Sequence, residues 1–126
     1  MIDRIQIIAT ATGSAGSAAG YSYAPHCYGR VLKVAISYTG SPPGTTDVIL
    51  EDENDPGEEK IVNLVNNTTT RIIYPRRPVQ DNANTDLTYD GTRKVSEPYV
   101  VHGRLKLSID EANANSVVTA IIWLET

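Results

Sequence analysis

The sequence predicts an all-β fold: a β-sandwich or jelly-roll-like single domain spanning residues 1–126, with an extended N-terminal arm or loop. Three observations carry this. Apolar residues alternate with polar ones at period two, the mark of a half-buried strand. Turn signals recur between the alternating runs, at Gly40-Ser41-Pro42-Pro43-Gly44, Asp55-Pro56-Gly57, Asn66-Asn67 and Asp90-Gly91. No stretch of ten residues shows the 3.6-residue period of an amphipathic helix. Short strands separated by such turns fit a sandwich or a small barrel.

Three strands are the clearest. In Arg30–Thr39, Leu32, Val34, Ile36 and Tyr38 fall on one face, with Val31, Lys33, Ala35 and Ser37 on the other. Arg104–Asp110 sets Leu105, Leu107 and Ile109 against Lys106 and Ser108. Val117–Glu125 is apolar on both faces, so it is expected to be central, or covered on its second face by a neighbouring layer or subunit. Shorter candidates are Ile2–Thr12, Thr46–Asp52, Lys60–Asn66, Arg71–Tyr74, Leu87–Tyr89 and Tyr99–His102. Asp110–Asn115 reads as a short helix or equally as a hairpin loop. Residues 13–27 open with Gly-Ser-Ala-Gly-Ser-Ala-Ala-Gly and are expected to form a flexible arm or long loop. The run Pro75–Asp86 is a second irregular segment, and long loops in small β domains commonly reach partners.

Composition narrows the function. The chain has 126 residues, with 15 Asp+Glu against 11 Lys+Arg, a net charge of −4. That balance argues against a nucleic-acid binder, which normally carries a basic excess. No apolar run approaches the ~18 residues of a membrane span, and the start, Met1-Ile2-Asp3-Arg4-Ile5, does not read as a signal peptide. The single cysteine, Cys27, has no partner for an internal disulfide. His26-Cys27 is not a catalytic dyad, because adjacent residues on an extended chain point opposite ways. Two His residues without ligand spacing exclude the usual zinc patterns. The acidic run Glu51–Glu59 lacks the alternate-position ligands of a calcium loop and reads as a solvated hairpin tip. Gly13–Ser17 is neither a phosphate loop nor a hydrolase elbow. The expectation is therefore a protein that is not an enzyme, with no cofactor, no metal and no small-molecule substrate.

Charge is segregated along the chain. Residues 47–59 hold seven acids and no base, and residues 60–106 hold eight of the bases. Arg71, Arg76, Arg77, Arg93, Lys94 and Arg104 could form one basic surface. The alternatives are an ordinary solvated face, or docking on an acidic surface or on another subunit's acidic hairpin.

The segments Gly29-Arg30-Val31-Leu32-Lys33-Val34, Tyr74-Pro75-Arg76-Arg77-Pro78-Val79, Leu87-Thr88-Tyr89-Asp90-Gly91-Thr92-Arg93 and Glu97–Lys106 carry a resemblance. Over residues 28–125 the chain resembles small structural proteins of tailed bacteriophages, of the capsid decoration (cement) kind. The second and third segments are the most specific. The resemblance implies a non-enzymatic virion protein, made in the host cytoplasm, that binds the major capsid protein on the capsid exterior. It implies a homotrimer, since lattice threefold axes suit a symmetric binder. Neither nucleic acid nor membrane is an expected partner. The candidate partner-binding residues are Tyr74, Arg76, Arg77, Tyr89, Asp90, Arg93 and Trp123. Trp123 has two readings, a buried sandwich residue or a subunit contact, and Asp90-Gly91 reads equally as an ordinary turn. The alternative functions are a phage tail, neck or fibre module, and a carbohydrate- or host-binding sandwich in which Tyr21, Tyr23 and Tyr28 stack on sugars.

Overall fold

A computed structural model describes residues 1–126 except Asp55 and Glu58. The chain is all-β. It runs β1 (Ile2–Thr10), β2 (Ala18–Tyr23), β3 (Cys27–Thr39), β4 (Asp47–Asp52), β5 (Lys60–Leu64), β6 (Arg71–Ile73), β7 (Arg77–Pro78), β8 (Ser96–Glu97), β9 (Val100–Gly103), β10 (Leu105–Ala112) and β11 (Val117–Glu125). One sheet has the order β1-β11-β3-β6, with β9 also pairing β3. The second has the order β2-β10-β4-β5, and β7 and β8 form a separate ribbon.

The two larger sheets face each other across one core. Period-two alternation decides what enters it. Ile7 and Ala9 of β1, Val34 and Ile36 of β3 and Val118, Ala120 and Ile122 of β11 point inward from the first sheet. Val48 and Leu50 of β4 and Leu105, Leu107 and Ile109 of β10 meet them from the second. Each fully buried Val, Leu or Ile of this kind stabilises the fold by roughly 1.5–3 kcal/mol.

Four sequence expectations change. Residues 13–27 are not an arm: residues 13–17 make a turn, and Ala18–Tyr23 is β2, paired with β10. Small side chains there serve close approach. Ala18 is wholly buried, and a Cβ on Gly20 would collide with the Thr10 carbonyl oxygen of β1. In β3, Val31 rather than Leu32 takes the inward place. A bulge opposite Trp123 and Leu124 pairs Leu124 with Val31 and shifts the alternation by one residue. Asp110–Asn115 is neither a helix nor a hairpin loop: β10 runs through Ala112, and a turn leads into β11 of the other sheet. Leu87–Tyr89 is not a strand and contributes one isolated bridge, Thr88 to Lys94. The acidic connection after β4 includes Asp55 and Glu58, which lie outside the described residues.

Candidate protein-docking surfaces

The first surface is an excursion of the chain, residues 74–99, between β6 and β9. It leaves the sandwich at Tyr74 and is clamped at its base by the β7–β8 ribbon, and its outer part buries almost nothing: nearly every residue from 81 to 94 is exposed. It has no core of its own. Backbone bonds order it instead, with Leu87 N donating to Val79 O (2.8 Å), Val79 N to Val95 O (2.9 Å) and Tyr89 N to Arg93 O (2.8 Å). Three aspartates tie its turns. Asp81 accepts from the backbone N–H groups of Ala83 and Thr85. Asp86 accepts from Gln80 Nε2 (2.8 Å) and Lys94 Nζ (2.7 Å). Asp90 accepts from Thr92 N, Arg93 N and Arg93 Nε.

These bonds hold two carboxyls below their ordinary range. Asp86 is lowered chiefly by its bond from Lys94 and then by that from Gln80. Asp90 is lowered chiefly by the Arg93 backbone N–H and then by the Arg93 side chain. A depressed folded-state pKa contributes order that is fully present above the unfolded value, and that order is lost as pH falls through the lowered value. Acidification from neutral to below about 4 is therefore expected to loosen residues 81–94 while the sandwich stays folded. Amide exchange checks this. The N–H groups of Thr92 and Arg93, both donated to Asp90, are expected to lose protection at acid pH while Leu107 keeps its own. Uniform loss across the chain would contradict local control.

Six of the seven candidate residues lie on the excursion. Tyr89, Asp90 and Arg93 come together at one turn, where Asp90 and Arg93 form an ion pair at 2.9 Å and Tyr89 is 75% exposed. Tyr74 and Arg76 are exposed near the base, and Arg76 donates to Pro75 O. Arg77 is half-buried in β7 and faces Glu97 at 3.6 Å. The single basic surface does not form. Arg77, Arg93, Lys94 and Arg104 each have an acidic partner, Arg104 reaching Glu53 at 2.6 Å.

Trp123 belongs to a second surface, the outer face of the first sheet. β11 is central, between β1 and β3, as its apolar pattern predicts, but among the described residues no further strand packs on its second face. The ladder aligns Gln6, Ile121, Ala35 and Ile72 in one row and Arg4, Trp123 and Lys33 in the next. Trp123 is half-buried there, not in the core, with Lys33 Nζ 4.4 Å from its ring centroid. Alternation also turns Ile8 (50% exposed), Val100 (69%) and Tyr28 outward on this face. Trp123's side was not legible in the sequence because both faces of β11 are apolar.

The remaining aromatics and the thiol are spread over separate places. Tyr21 and Tyr23 stand edge to face at 5.5 Å on the outer face of β2. Their ring faces already carry cations, Lys106 over Tyr21 and Arg104 over Tyr23 at 3.8 Å. Tyr28 sits apart, beside His102. Cys27 is buried, and burial, reinforced by Asp52, pushes its thiol up, away from the nucleophilic thiolate. His26 and His102 pack edge to face outside it, ring centroids 5.1 Å apart. Among the described residues no cluster of three His, Cys, Asp or Glu side chains is placed to hold a metal.

No family model matches the chain, and no curated protein matches it. Among solved structures the chain is similar to that of FlhE, with 99% of this chain and 98% of that chain covered, at 11% identity and a TM-score of 0.42. It is also similar to CBM4, with 92% and 89% covered, at 10% identity and a TM-score of 0.34. Likenesses this distant say nothing of function.

Proposed function

We propose that this is a non-enzymatic structural protein of a tailed bacteriophage, a decoration protein that binds the major capsid protein on the outside of the lattice, as a homotrimer. The observation that carries the reading is the excursion. Both of the most specific phage-like segments, Tyr74–Val79 and Leu87–Arg93, lie on it, and its own hydrogen bonds preorder it outside the sandwich. A preordered loop loses little entropy on docking. Tyr and Arg are the residue types that most often carry interface energy, and the excursion presents Tyr74, Tyr89, Arg76 and Arg93 to solvent. A cement protein needs no nucleophile, metal or cofactor, and its place is the capsid exterior.

Co-sedimentation with purified particles from the source lysate tests this. Arg76→Glu is the informative variant, because Arg76 is exposed and has no carboxylate partner among the described residues. Arg77→Glu would set two acids together at Glu97 and disturb the ribbon. Wild-type protein is expected to bind particles. Arg76→Glu is expected to bind roughly tenfold or more weakly with an unchanged melt. Equal occupancy of the two proteins would remove the excursion from the contact.

The carbohydrate alternative is weaker, because Tyr21 and Tyr23 each have one ring face occupied by a cation and Tyr28 stands apart from them.

A further inference from the structure

The outer face of the β1-β11-β3-β6 sheet is unusually apolar for solvent. Five of the exposed large hydrophobic residues, Ile2, Ile8, Tyr28, Ile72 and Val100, fall on it, around half-buried Ile121 and Trp123. β1, β11 and the paired length of β3, each about nine residues long and about 4.8 Å apart, with the short β6 and β9 beyond them, give a footprint of about 500 Å², roughly two-thirds of one side of a standard protein interface. Its charges run against those of the chain. Alternation places Arg4, Arg30 and Lys33 outward with one acid, Glu125, in a chain of net charge −4. Glu125 pairs with Arg30, while Arg4 and Lys33 make no ion pair among the described residues.

The end of the sandwich shows the opposite imbalance. Asp110 of β10 is directly paired with Asp47 of β4 across the ladder, and Glu111 follows at φ 51°. Like charges directly opposite on a sheet are destabilising. Among the described residues no cation lies within ion-pair distance of these three carboxylates. Asp47 accepts from Asn66 N and Asp110 from Glu111 N, so each is held by backbone alone. The chain therefore carries an apolar face with unpaired cations and a separate end with unpaired acids.

We propose that this face is the interface with a second copy of the chain, which presents its Asp47/Asp110/Glu111 end to the apolar-basic surface around Trp123. Two such faces packed on each other would set two like-charged surfaces together, each with Arg4 and Lys33 unpaired among the described residues and its one acid, Glu125, already on Arg30. The contact is therefore heterologous, face to end. The inference deepens the homo-oligomeric part of the proposed function and is independent of capsid binding.

Sedimentation velocity on the isolated protein, across a wide range of concentrations, tests it. Wild-type protein is expected to self-associate, more weakly at high salt. Ile121→Glu is expected to raise the dissociation constant roughly thirtyfold or more, and Thr119→Glu, at a half-buried outward position, is expected to act in the same direction with a normal melt. Arg4→Glu with Lys33→Glu is expected to abolish self-association, and this variant is expected to bind copies carrying Asp110→Lys with Glu111→Lys. A wild-type chain that stays monomeric throughout would overturn the proposal, as would association unchanged in both Ile121→Glu and Thr119→Glu. Self-association of the Asp110→Lys/Glu111→Lys protein equal to that of wild type would overturn the face-to-end arrangement, because its sheet face is unmodified and only its end is reversed. Loss of particle binding with association intact would count against the capsid reading alone.

Discussion

Gly20→Ala is expected to destabilise the protein by about 3 kcal/mol, lowering the melting temperature by roughly 10 °C for a domain of this size. Gly20 sits in β2 opposite Ile109, where β2 of one sheet passes β1 of the other. An added methyl would press on the carbonyl oxygen and carbon of Thr10 and on Ala11 Cα, all of them backbone atoms that cannot swing aside. The neighbouring backbone bonds, Thr12 N to Ala19 O at 3.0 Å and Ala19 N to Thr12 O at 3.1 Å, would have to open or shift. Gly44→Ala is the control: an added Cβ meets nothing within 4 Å, so the change is expected to stay within about 0.5 kcal/mol. Thermal melts of the two variants side by side decide the matter. Indistinguishable midpoints would mean that β1 and β2 do not touch as described.

The second large effect separates core from docking face. Leu107 is wholly buried on the inner side of β10, and Leu107→Ala is expected to cost about 3 kcal/mol through lost burial and the cavity left behind. Trp123→Ala removes a larger side chain, and in a core it would cost about 3–5 kcal/mol. On the outer face it forfeits half-burial and the contact with Lys33, and is expected to cost about 1 kcal/mol. Urea unfolding of both variants at low protein concentration, where association does not contribute, measures the contrast. A Trp123→Ala cost equal to that of Leu107→Ala would place the indole in the core and remove the uncovered face.

The strands that face one core were legible because alternation records burial directly. Leu105, Leu107 and Ile109 all point inward as their spacing predicts, and β11 is central as its two apolar faces predict. β2 was not legible. Its small residues carry no hydrophobic period, and the reason for their size, the crossing with β1 at Gly20, exists only in three dimensions. The exchange of Val31 for Leu32 depends on a bulge whose partner lies ninety residues away in β11. The Tyr89–Arg93 turn could be read locally, since Asp90-Gly91 is a turn signal and Gly91 adopts φ 85°. The expected basic surface failed because ion pairing is settled by tertiary neighbours: Arg104 meets Glu53 across the sheet ends, and Lys94 meets Asp86 within the excursion.

The central claim is that this protein covers a capsid lattice, and copy number tests it most directly. Quantitative mass spectrometry of purified particles from the source lysate would measure this chain against the major capsid protein. The account predicts a ratio approaching one to one. A few to a few dozen copies per particle would contradict it in favour of a tail or neck component, and absence from particles would contradict the virion reading altogether.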